Sequence, residues 1–195
     1  MEEVDEPGDA STDELLARLG RWRGEQEAAE AARSRTRERW LRQQAAEAAR
    51  LSSVALDLAE RGAAVTLTTT TGSTHAATVV GVAREFVVLR SSGGRLTFVR
   101  WSCVAAIRLP AGERAGEADA DRDAPLDVRL AHALAGLVAD RPRVRVLTVG
   151  CADAWTGELR SVGRDVITLR LDGAAPGGDA VYLALDAVAE VTVLG

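Results

Sequence analysis

The second half of this chain repeats the first half, and the repeat constrains the fold more than any other feature. Residues 78–90 read TVVGVAREFVVLR, and residues 158–170, eighty positions later, read ELRSVGRDVITLR. Residues 96–109 (LTFVRWSCVAAIRL) match residues 180–194 (AVYLALDAVAEVTVL) after a four-residue insertion. A period of about eighty is too long for a solenoid repeat, and two copies do not make an array. The sequence therefore predicts two copies of one small domain.

Composition narrows the class of protein. Aromatic residues make up 4% of the 195 residues, so the predicted cores are aliphatic. No apolar run is long enough to cross a bilayer, and the acidic start MEEVDEPGDAS lacks the apolar stretch of a secretory signal. With only Cys103 and Cys151, a disulfide framework is not expected. These features predict a cytoplasmic protein without a membrane partner.

The N-terminal third is predicted to be helical. Residues 1–10 are acidic and read as disordered, and residues 11–62 read as a helical arm that Gly62 ends. Gly20 and Gly24 weaken its start, but neither Pro nor Gly interrupts residues 25–61. The late part of the arm carries a heptad-like stripe that is typical of a coiled coil or of close helix approach: Leu41, Gln44, Ala48, Leu51, Ala55 and Leu58.

Each repeat reads as five short strands. Residues 63–109 and 142–195 alternate apolar and polar positions between glycine-containing turns, and Gly81 permits a sharp bend. Because a flat sheet this small leaves its edges exposed, each repeat is predicted to form a closed or nearly closed barrel. An acidic linker, 110–124, and a helix, 125–141, separate the two units. The expected fold class is mainly β with helices, with two tandem five-stranded small barrels, each preceded by a helix.

The motifs VVGVAREFVVL with VRWSCVAAIRL, and GELRSVGRDVITL with YLALDAVAEVTVL, resemble the Sm-like, or more broadly SH3-like, small-barrel superfamily. The whole chain also resembles an uncharacterised actinobacterial family that has RERWLRQQAAEAARL ahead of such barrels. The resemblance covers about half of the chain and rests mostly on core and turn positions.

The resemblance to Sm-like proteins implies RNA binding, often in rings where the fourth strand of one barrel pairs with the fifth strand of the next. This chain departs from that pattern in two ways. The Arg-Gly or Lys-His signatures are replaced by Ile107-Arg108-Leu109 and Val193-Leu194-Gly195. Two barrels in one chain can also satisfy each other's edges instead of forming a ring. Fold alone does not determine function.

Residues suited to catalysis are few and scattered. His75 lies beside a predicted turn, where solvent exposure is expected, and His132 lies off the leucine stripe of a helix. Cys103 and Cys151 lack the spacing of zinc ligands. We therefore expect no catalytic residues, metal, cofactor or small-molecule substrate. A pocket in which a histidine and a carboxylate converge would revive an enzymatic interpretation.

Arginines concentrate in the first repeat. Residues 63–109 hold five arginines and one glutamate, for a net charge of +4, in a chain whose net charge is −5. Arg84, Arg90, Arg95 and Arg100, joined by Phe98 or Trp101, are candidates for binding single-stranded nucleic acid. Trp101 aligns with Leu185, which instead favours a core position for this tryptophan.

The helical arm offers a second kind of candidate site. Trp22, Trp40, Leu41 and Leu51 are candidate protein-contact residues, because large apolar side chains contribute strongly to interfaces. The alternative is that the two tryptophans dock the arm onto a barrel. The leading expectation is a non-enzymatic binding or scaffolding module whose partner is another protein or a second copy. The alternative is a nucleic-acid-binding regulator that uses the basic first barrel.

Overall fold

The protein consists of a long helical arm and a β-rich body. A computed structural model describes residues 9–113, 126–151, 153–173 and 179–194. The chain divides into two units, Met1–Glu47 and Ala48–Gly195. The prediction of a mainly β fold with helices and a long N-terminal helix is confirmed. Residues 1–8 of the predicted disordered segment and residues 114–124 of the predicted linker lie outside the described residues.

The arm is a single helix, α1 (Asp9–Ala48), of 40 residues. At a rise of 1.5 Å per residue it is about 60 Å long. Gly20 and Gly24 lie inside it and neither ends it. Its described side chains are almost all exposed, and pairs four residues apart, such as Gln43 with Glu47 (Nε2 to Oε1, 2.9 Å), run along its surface. No helix among the described residues combines the length and the apolarity that crossing a membrane requires.

The helical region is broken once, which corrects the prediction of an uninterrupted helix to Arg61. Arg50 has an extended backbone (φ −111°, ψ 149°) and precedes a second helix, α2 (Leu51–Glu60). The break follows from packing, because α2 buries Ser53, Ala55 and Leu58 in the body whereas α1 leaves its described side chains exposed. Tertiary packing here overrides helix propensity. The heptad-like stripe is therefore divided between α1 and α2.

Gly62 ends α2, as the sequence predicts. Its φ is 61°, in the left-handed region that glycine adopts without strain. The amide of Gly62 donates to the carbonyl of Ala59 (3.1 Å), and the amide of Ala63 donates to that of Leu58 (3.0 Å). This pair of bonds is the Schellman arrangement, which satisfies the last carbonyls of the helix. The chain then enters the sheet directly.

Ten strands form one antiparallel sheet. The strands of the first repeat are β1 (Ala64–Thr69), β2 (Thr74–Val82), β3 (Phe86–Ser91), β4 (Leu96–Arg100) and β5 (Val104–Arg108). Those of the second repeat are β6 (Arg143–Thr148), β7 (Trp155–Val162), β8 (Val166–Leu171), β9 (Ala180–Ala184) and β10 (Val188–Val193). The strand order is β5-β1-β2-β3-β4-β10-β6-β7-β8-β9. Each repeat thus has the same order of neighbours: fifth, first, second, third, fourth.

The prediction of two closed five-stranded barrels is wrong. Closure would require β4 to pair with β5 and β9 to pair with β10, and neither pairing occurs among the described strands. Instead, β4 pairs with β10. The backbone groups that would have closed the first barrel are satisfied by the last strand of the second repeat. The two repeats therefore share one continuous sheet.

Bulges bend both repeats at matching places. In the first repeat the register of β2 with β3 shifts between Val79 and Gly81, and in the second that of β7 with β8 shifts between Leu159 and Ser161. A bulge adds local twist and bends its strand. Glycine is not required at the bulge itself, because Ser161 holds the second one. Gly157 is more constrained, since a Cβ there would collide with the carbonyl of Arg170.

Two hydrophobic cores lie on opposite faces of the central strands. The first core packs α2 against β1–β4 and contains Leu58, and the second contains Leu130. Strand β3 contributes to both, because Val87 and Leu89 enter the first core whereas Phe86 enters the second. Burial on both faces explains why FVVL is a continuous apolar run instead of an alternating one.

The helix ahead of the second repeat is shorter than the predicted helix 125–141. It comprises α3 (Leu130–Ala135), followed by a 3₁₀ turn at Val138–Asp140. Leu126 instead forms a parallel bridge with Ala83 and accepts a hydrogen bond from the amide of Arg84 (3.3 Å). Residues 127–129 belong to neither a helix nor a strand, and Arg129 has an extended backbone (φ −78°, ψ 151°). The side chains of Leu130 and Leu134, from the predicted leucine stripe, are fully buried.

Candidate protein interface

The seam between the repeats is the pairing of β4 with β10. In its register, Val99 lies opposite Glu190, Phe98 opposite Val191 and Thr97 opposite Thr192. The Oγ1 atoms of the two threonines are 3.1 Å apart and share a hydrogen bond. The ring of Phe98 also meets that of Phe86 at a centroid distance of 5.9 Å, a favourable separation for a tilted aromatic pair.

Arg100 forms two hydrogen bonds across one end of the seam. Its Nε donates to the carbonyl of Val188 (3.1 Å) and its Nη2 donates to the carbonyl of Leu185 (3.0 Å). Both acceptors belong to the second repeat. Hydrogen bonds from a charged donor contribute more than those between neutral groups. One of the four arginines expected to contact nucleic acid therefore joins the two halves of the protein.

A second side-chain hydrogen bond also joins the two repeats. The Nε2 atom of His75, on β2, is 2.9 Å from Oε2 of Glu190, on β10. The side chain of Glu190 is 2% exposed and that of His75 is 19% exposed. The expectation that His75 is solvent-exposed is therefore wrong. The available signal was Glu190 itself, an acid in an apolar strand where the first repeat has Ala106.

A cleft of about 380 Å³ lies beside the seam. Charged and polar side chains line much of it: Glu85, Arg100, Arg129, His132, Arg164 and Asp186. The Oε2 atom of Glu85 accepts a hydrogen bond from the amide of Leu130 (3.2 Å), so this carboxylate caps the first turn of α3.

The cleft brings His132 near two carboxylates, the convergence that an enzymatic interpretation requires. No hydrogen bond joins His132 to a carboxylate among the described residues. No group of three or more His, Cys, Asp or Glu side chains that could hold a metal ion occurs in the described part of the chain. Cys103 is buried and Cys151 is partly buried, and both are free thiols.

The four candidate arginines do not form one patch. Arg84 and Arg100 lie at one end of β3, because Arg100 pairs with Phe86, the first residue of that strand. Arg90 and Arg95 lie toward the other end, because Arg90 pairs with Leu96 four residues further along β3, which is about 13 Å at 3.3 Å per residue. Trp101, the proposed stacking residue, is half-buried in the first core, as its alignment favours.

Among the described strands, the sheet ends at β5 and β9, each of which pairs with a neighbour on one side only. These are the repeat counterparts of the two strands joined at the seam, since β5 corresponds to β10 and β9 to β4. Phe98 on β4 is 7% exposed, whereas Tyr182, its counterpart on β9, is 73% exposed. On the other pair, Ala189 is fully buried and its counterpart Ala105 is exposed. Equivalent residues are thus buried where the edge has a partner and exposed where it does not.

On the free side of β9, outward-facing backbone groups are positioned to pair with an added strand. The amide of Leu185 donates to Asp165 (2.7 Å) and that of Leu171 donates to Asp179 (3.1 Å), at the two ends of the β8–β9 ladder. Hydrogen-bonded pairs alternate along an antiparallel ladder. The amide of Tyr182 therefore faces away from β8, toward the free edge. Sequence reasoning missed Tyr182, although its alignment with Phe98 on an edge strand was a usable signal.

The four residues proposed as protein contacts on the helices are all exposed. They are Trp22, Trp40, Leu41 and Leu51. The two tryptophans are eighteen residues apart on α1, which is five turns, so they share one face about 27 Å apart. Trp40 borders a shallow groove with Ala32, Arg33, Thr36 and Arg37.

Comparison with known proteins adds no assignment. No family model matches the chain, and no curated protein is significantly similar to it. The fold, the seam and the two sheet edges are therefore the features that bear on function.

Proposed function

We propose that this protein is a non-enzymatic binding and scaffolding module that acts by associating with a second copy of itself. The observation that carries the proposal is the difference between equivalent residues of the two repeats. Phe98 is buried where β4 pairs with β10. Tyr182 occupies the equivalent position of the second repeat, on β9, and is exposed. The seam therefore provides an example, within the same chain, of how a second strand would cover β9.

The sequence of the free edges supports association. Proteins usually protect an exposed edge with charged residues, with proline or with a covering segment. Strand β9 reads AVYLA, without charge or proline, and β5 reads VAAIR, with a single charge at its end. Residues of this kind favour pairing with another strand through main-chain hydrogen bonds.

The positions of the histidines support a role without catalysis. His75 is held by Glu190 in the seam. His132 lines a cleft in which Glu85 already caps α3. A general base must lie within hydrogen-bonding distance of the group whose proton it takes. The histidine side-chain hydrogen bond found among the described residues joins His75 to a carboxylate, that of Glu190.

The alternative proposal, a nucleic-acid-binding regulator, has less support. It requires the basic residues of the first repeat to act together, but Arg100 is bonded within the chain and the other three arginines lie at two ends of one strand. Arg84 also lies 3.9 Å from Asp127. A titration with single-stranded RNA at two salt concentrations tests this alternative, because phosphate contacts make affinity fall steeply with salt.

We further propose that each half is related to the Sm-like or SH3-like units. The shared order of five strands and the matching bulges support this relation. The missing Arg-Gly and Lys-His signatures at the ends of β5 and β10 argue against transfer of the RNA-binding activity of Sm-like proteins to this chain.

Light scattering coupled to gel filtration tests the proposed function. The mass of the full chain should exceed that of the monomer and should rise with concentration. A variant with Trp22→Ala and Trp40→Ala serves as a control for the arm and should retain the association. A mass equal to the monomer at every concentration would contradict the proposal.

A further inference from the structure

We infer that the self-association is a symmetric dimer in which β9 of one copy pairs antiparallel with β9 of a second copy, with Tyr182 on the two-fold axis. This inference rests on the proposed self-association and names the surface that each copy uses. In the described part of the chain, β9 pairs with β8 on one side and has no neighbour on the other. A two-fold contact uses the same patch on both partners, so that patch must be complementary to itself.

The sequence of β9 is self-complementary. Its residues read AVYLA, which is nearly the same in both directions: an alanine at each end, an aliphatic residue next to each alanine, and a tyrosine at the centre. When two such strands run antiparallel with their tyrosines opposed, alanine lies opposite alanine and Val181 lies opposite the second copy's Leu183. No charged side chain lies within the strand. The strand therefore matches its own antiparallel copy at every position.

The backbone supports the same register. The amide of Leu185 and the carbonyl of Asp179 both point toward β8. Because this direction alternates along a strand, the backbone groups of Ala180, Tyr182 and Ala184 point to the free side. In the two-fold register each of these residues meets an outward-pointing residue of the second copy and exchanges two hydrogen bonds with it. A register shifted by one residue would oppose outward groups to inward groups and leave them unpaired.

The exposed face of β9 has room for two tyrosine rings. Ala180, Tyr182 and Ala184 share this face, and all three are exposed, Tyr182 by 73%. Directly opposed residues of a hydrogen-bonded pair have Cα atoms about 5.5 Å apart, so the two rings lie side by side. The alanines occupy the diagonal positions and leave the space beside each ring open. The contact thereby removes one large aromatic side chain of each copy from water.

The opposite face of β9 extends the second hydrophobic core. Leu183 belongs to that core and is 6% exposed, and Val181 packs against it. In the dimer Val181 of each copy lies opposite the second copy's Leu183, so the two cores meet across the contact. Both faces of the new strand pair are therefore largely apolar.

The other end strand, β5, is less suited to a symmetric contact. It reads VAAIR, which does not match itself in the reverse direction, and it ends at Arg108. Pro110, which has no amide, follows two residues later. Charge and proline at an edge hinder the addition of a strand. A contact made by β9 alone closes at two copies, and because it involves one short strand from each, we expect it to dissociate on dilution.

Light scattering coupled to gel filtration distinguishes this dimer from other modes of association. The mass of the unmodified chain should rise with concentration to twice the monomer mass and no further, because a two-fold contact closes. Tyr182→Lys places two like charges opposite each other across the axis and should be a monomer at every concentration. Ala106→Lys, at an exposed position of β5, is the matched control and should still form the dimer. Both variants should retain the circular dichroism spectrum of the unmodified chain.

The outcomes separate this inference from the proposed function. If Tyr182→Lys associates like the unmodified chain, the two-fold inference is wrong, while the proposed self-association stands. If Ala106→Lys is also a monomer, or if the mass passes twice that of the monomer, the association involves another surface and the inference is again wrong. If the unmodified chain is a monomer at every concentration, both the inference and the proposed function fail.

Disulfide cross-linking tests the register and leaves Tyr182 in place. In a Cys151→Ser background, in which the remaining Cys103 is buried, Ala180→Cys mixed with Ala184→Cys should yield a cross-linked dimer under mild oxidation. The two cysteines are directly opposed in the two-fold register, at a Cα separation that suits a disulfide. Ala180→Cys alone should yield much less, because its two copies lie four residues apart, about 13 Å. Equal yields from the mixture and from Ala180→Cys alone would overturn the inferred register.

Discussion

Replacing His75 with alanine removes the partner of a carboxylate that is almost completely buried. Glu190 is 2% exposed, and its Oε2 atom is 2.9 Å from Nε2 of His75. The strands β4 and β6 flank Glu190 on β10, with Val99 and Leu147 opposite it. Without the imidazole, the carboxyl group is left in a largely apolar setting, where a polar group without a hydrogen-bond partner is unfavourable.

The magnitude follows from burial. Removing one partner of a buried hydrogen bond leaves the other partner unsatisfied and costs about 1–3 kcal/mol. Glu190 is 2% exposed, so the upper end applies. We expect His75→Ala to lower the free energy of unfolding by about 3 kcal/mol, roughly 6–12 °C in Tm for a chain of this length.

The assay is urea denaturation of four proteins: the unmodified chain, His75→Ala, Glu190→Gln, and the double variant. Because a neutral amide is less costly to bury than a charge, the double variant should be more stable than His75→Ala alone. His132→Ala, on an exposed position of α3, is the matched control and should change stability by less than about 0.5 kcal/mol. If His75→Ala is as stable as this control, the reasoning is refuted. It is also refuted if the double variant is no more stable than His75→Ala.

Two further substitutions test the seam and the bend of the second repeat. Arg100→Ala should lower the free energy of unfolding by about 2 kcal/mol in urea, because it deletes two charge-assisted bonds across the seam, whereas Arg95→Ala, fully in solvent, should have little effect. Equal effects of the two changes would contradict the role of Arg100. Gly157→Ala should cost about 1–3 kcal/mol in the same assay, since its Cβ would meet the carbonyl of Arg170, whereas Gly93→Ala, with ample space, should be tolerated. A fully stable Gly157→Ala variant would show that β7 and β8 do not approach as described.

Local patterns in the sequence predicted where the strands lie but not which strands pair with each other. Alternation and turn residues located five strands in each repeat, and Gly62 marked the end of α2 through its left-handed backbone. Which strands pair across repeats is decided by unpaired backbone groups, which side-chain patterns do not record. The seam of β4 with β10 therefore replaced the predicted barrel closures. The break at Arg50 was missed for a similar reason, since it depends on the packing of α2 and not on helix propensity.

For the candidate site, the sequence identified some of the residues but not their contacts. Sequence reasoning identified Arg100 from local charge but could not see that carbonyls of the second repeat lie within its reach. His75 and Glu190 are 115 positions apart, and only the curvature of the sheet brings them together. Tyr182 was recognised as a candidate contact residue by comparing the burial of equivalent strands, which requires coordinates.

Amide hydrogen exchange of Phe98 and Tyr182, followed over a range of protein concentrations, tests the central claim most directly. If β10 covers β4 within each molecule and β9 awaits a second copy, the Phe98 amide is protected at every concentration and the Tyr182 amide becomes protected only as concentration rises. A Phe98 amide that exchanges freely in dilute solution, or a Tyr182 amide that stays unprotected while the mass of the particle grows, would contradict the account.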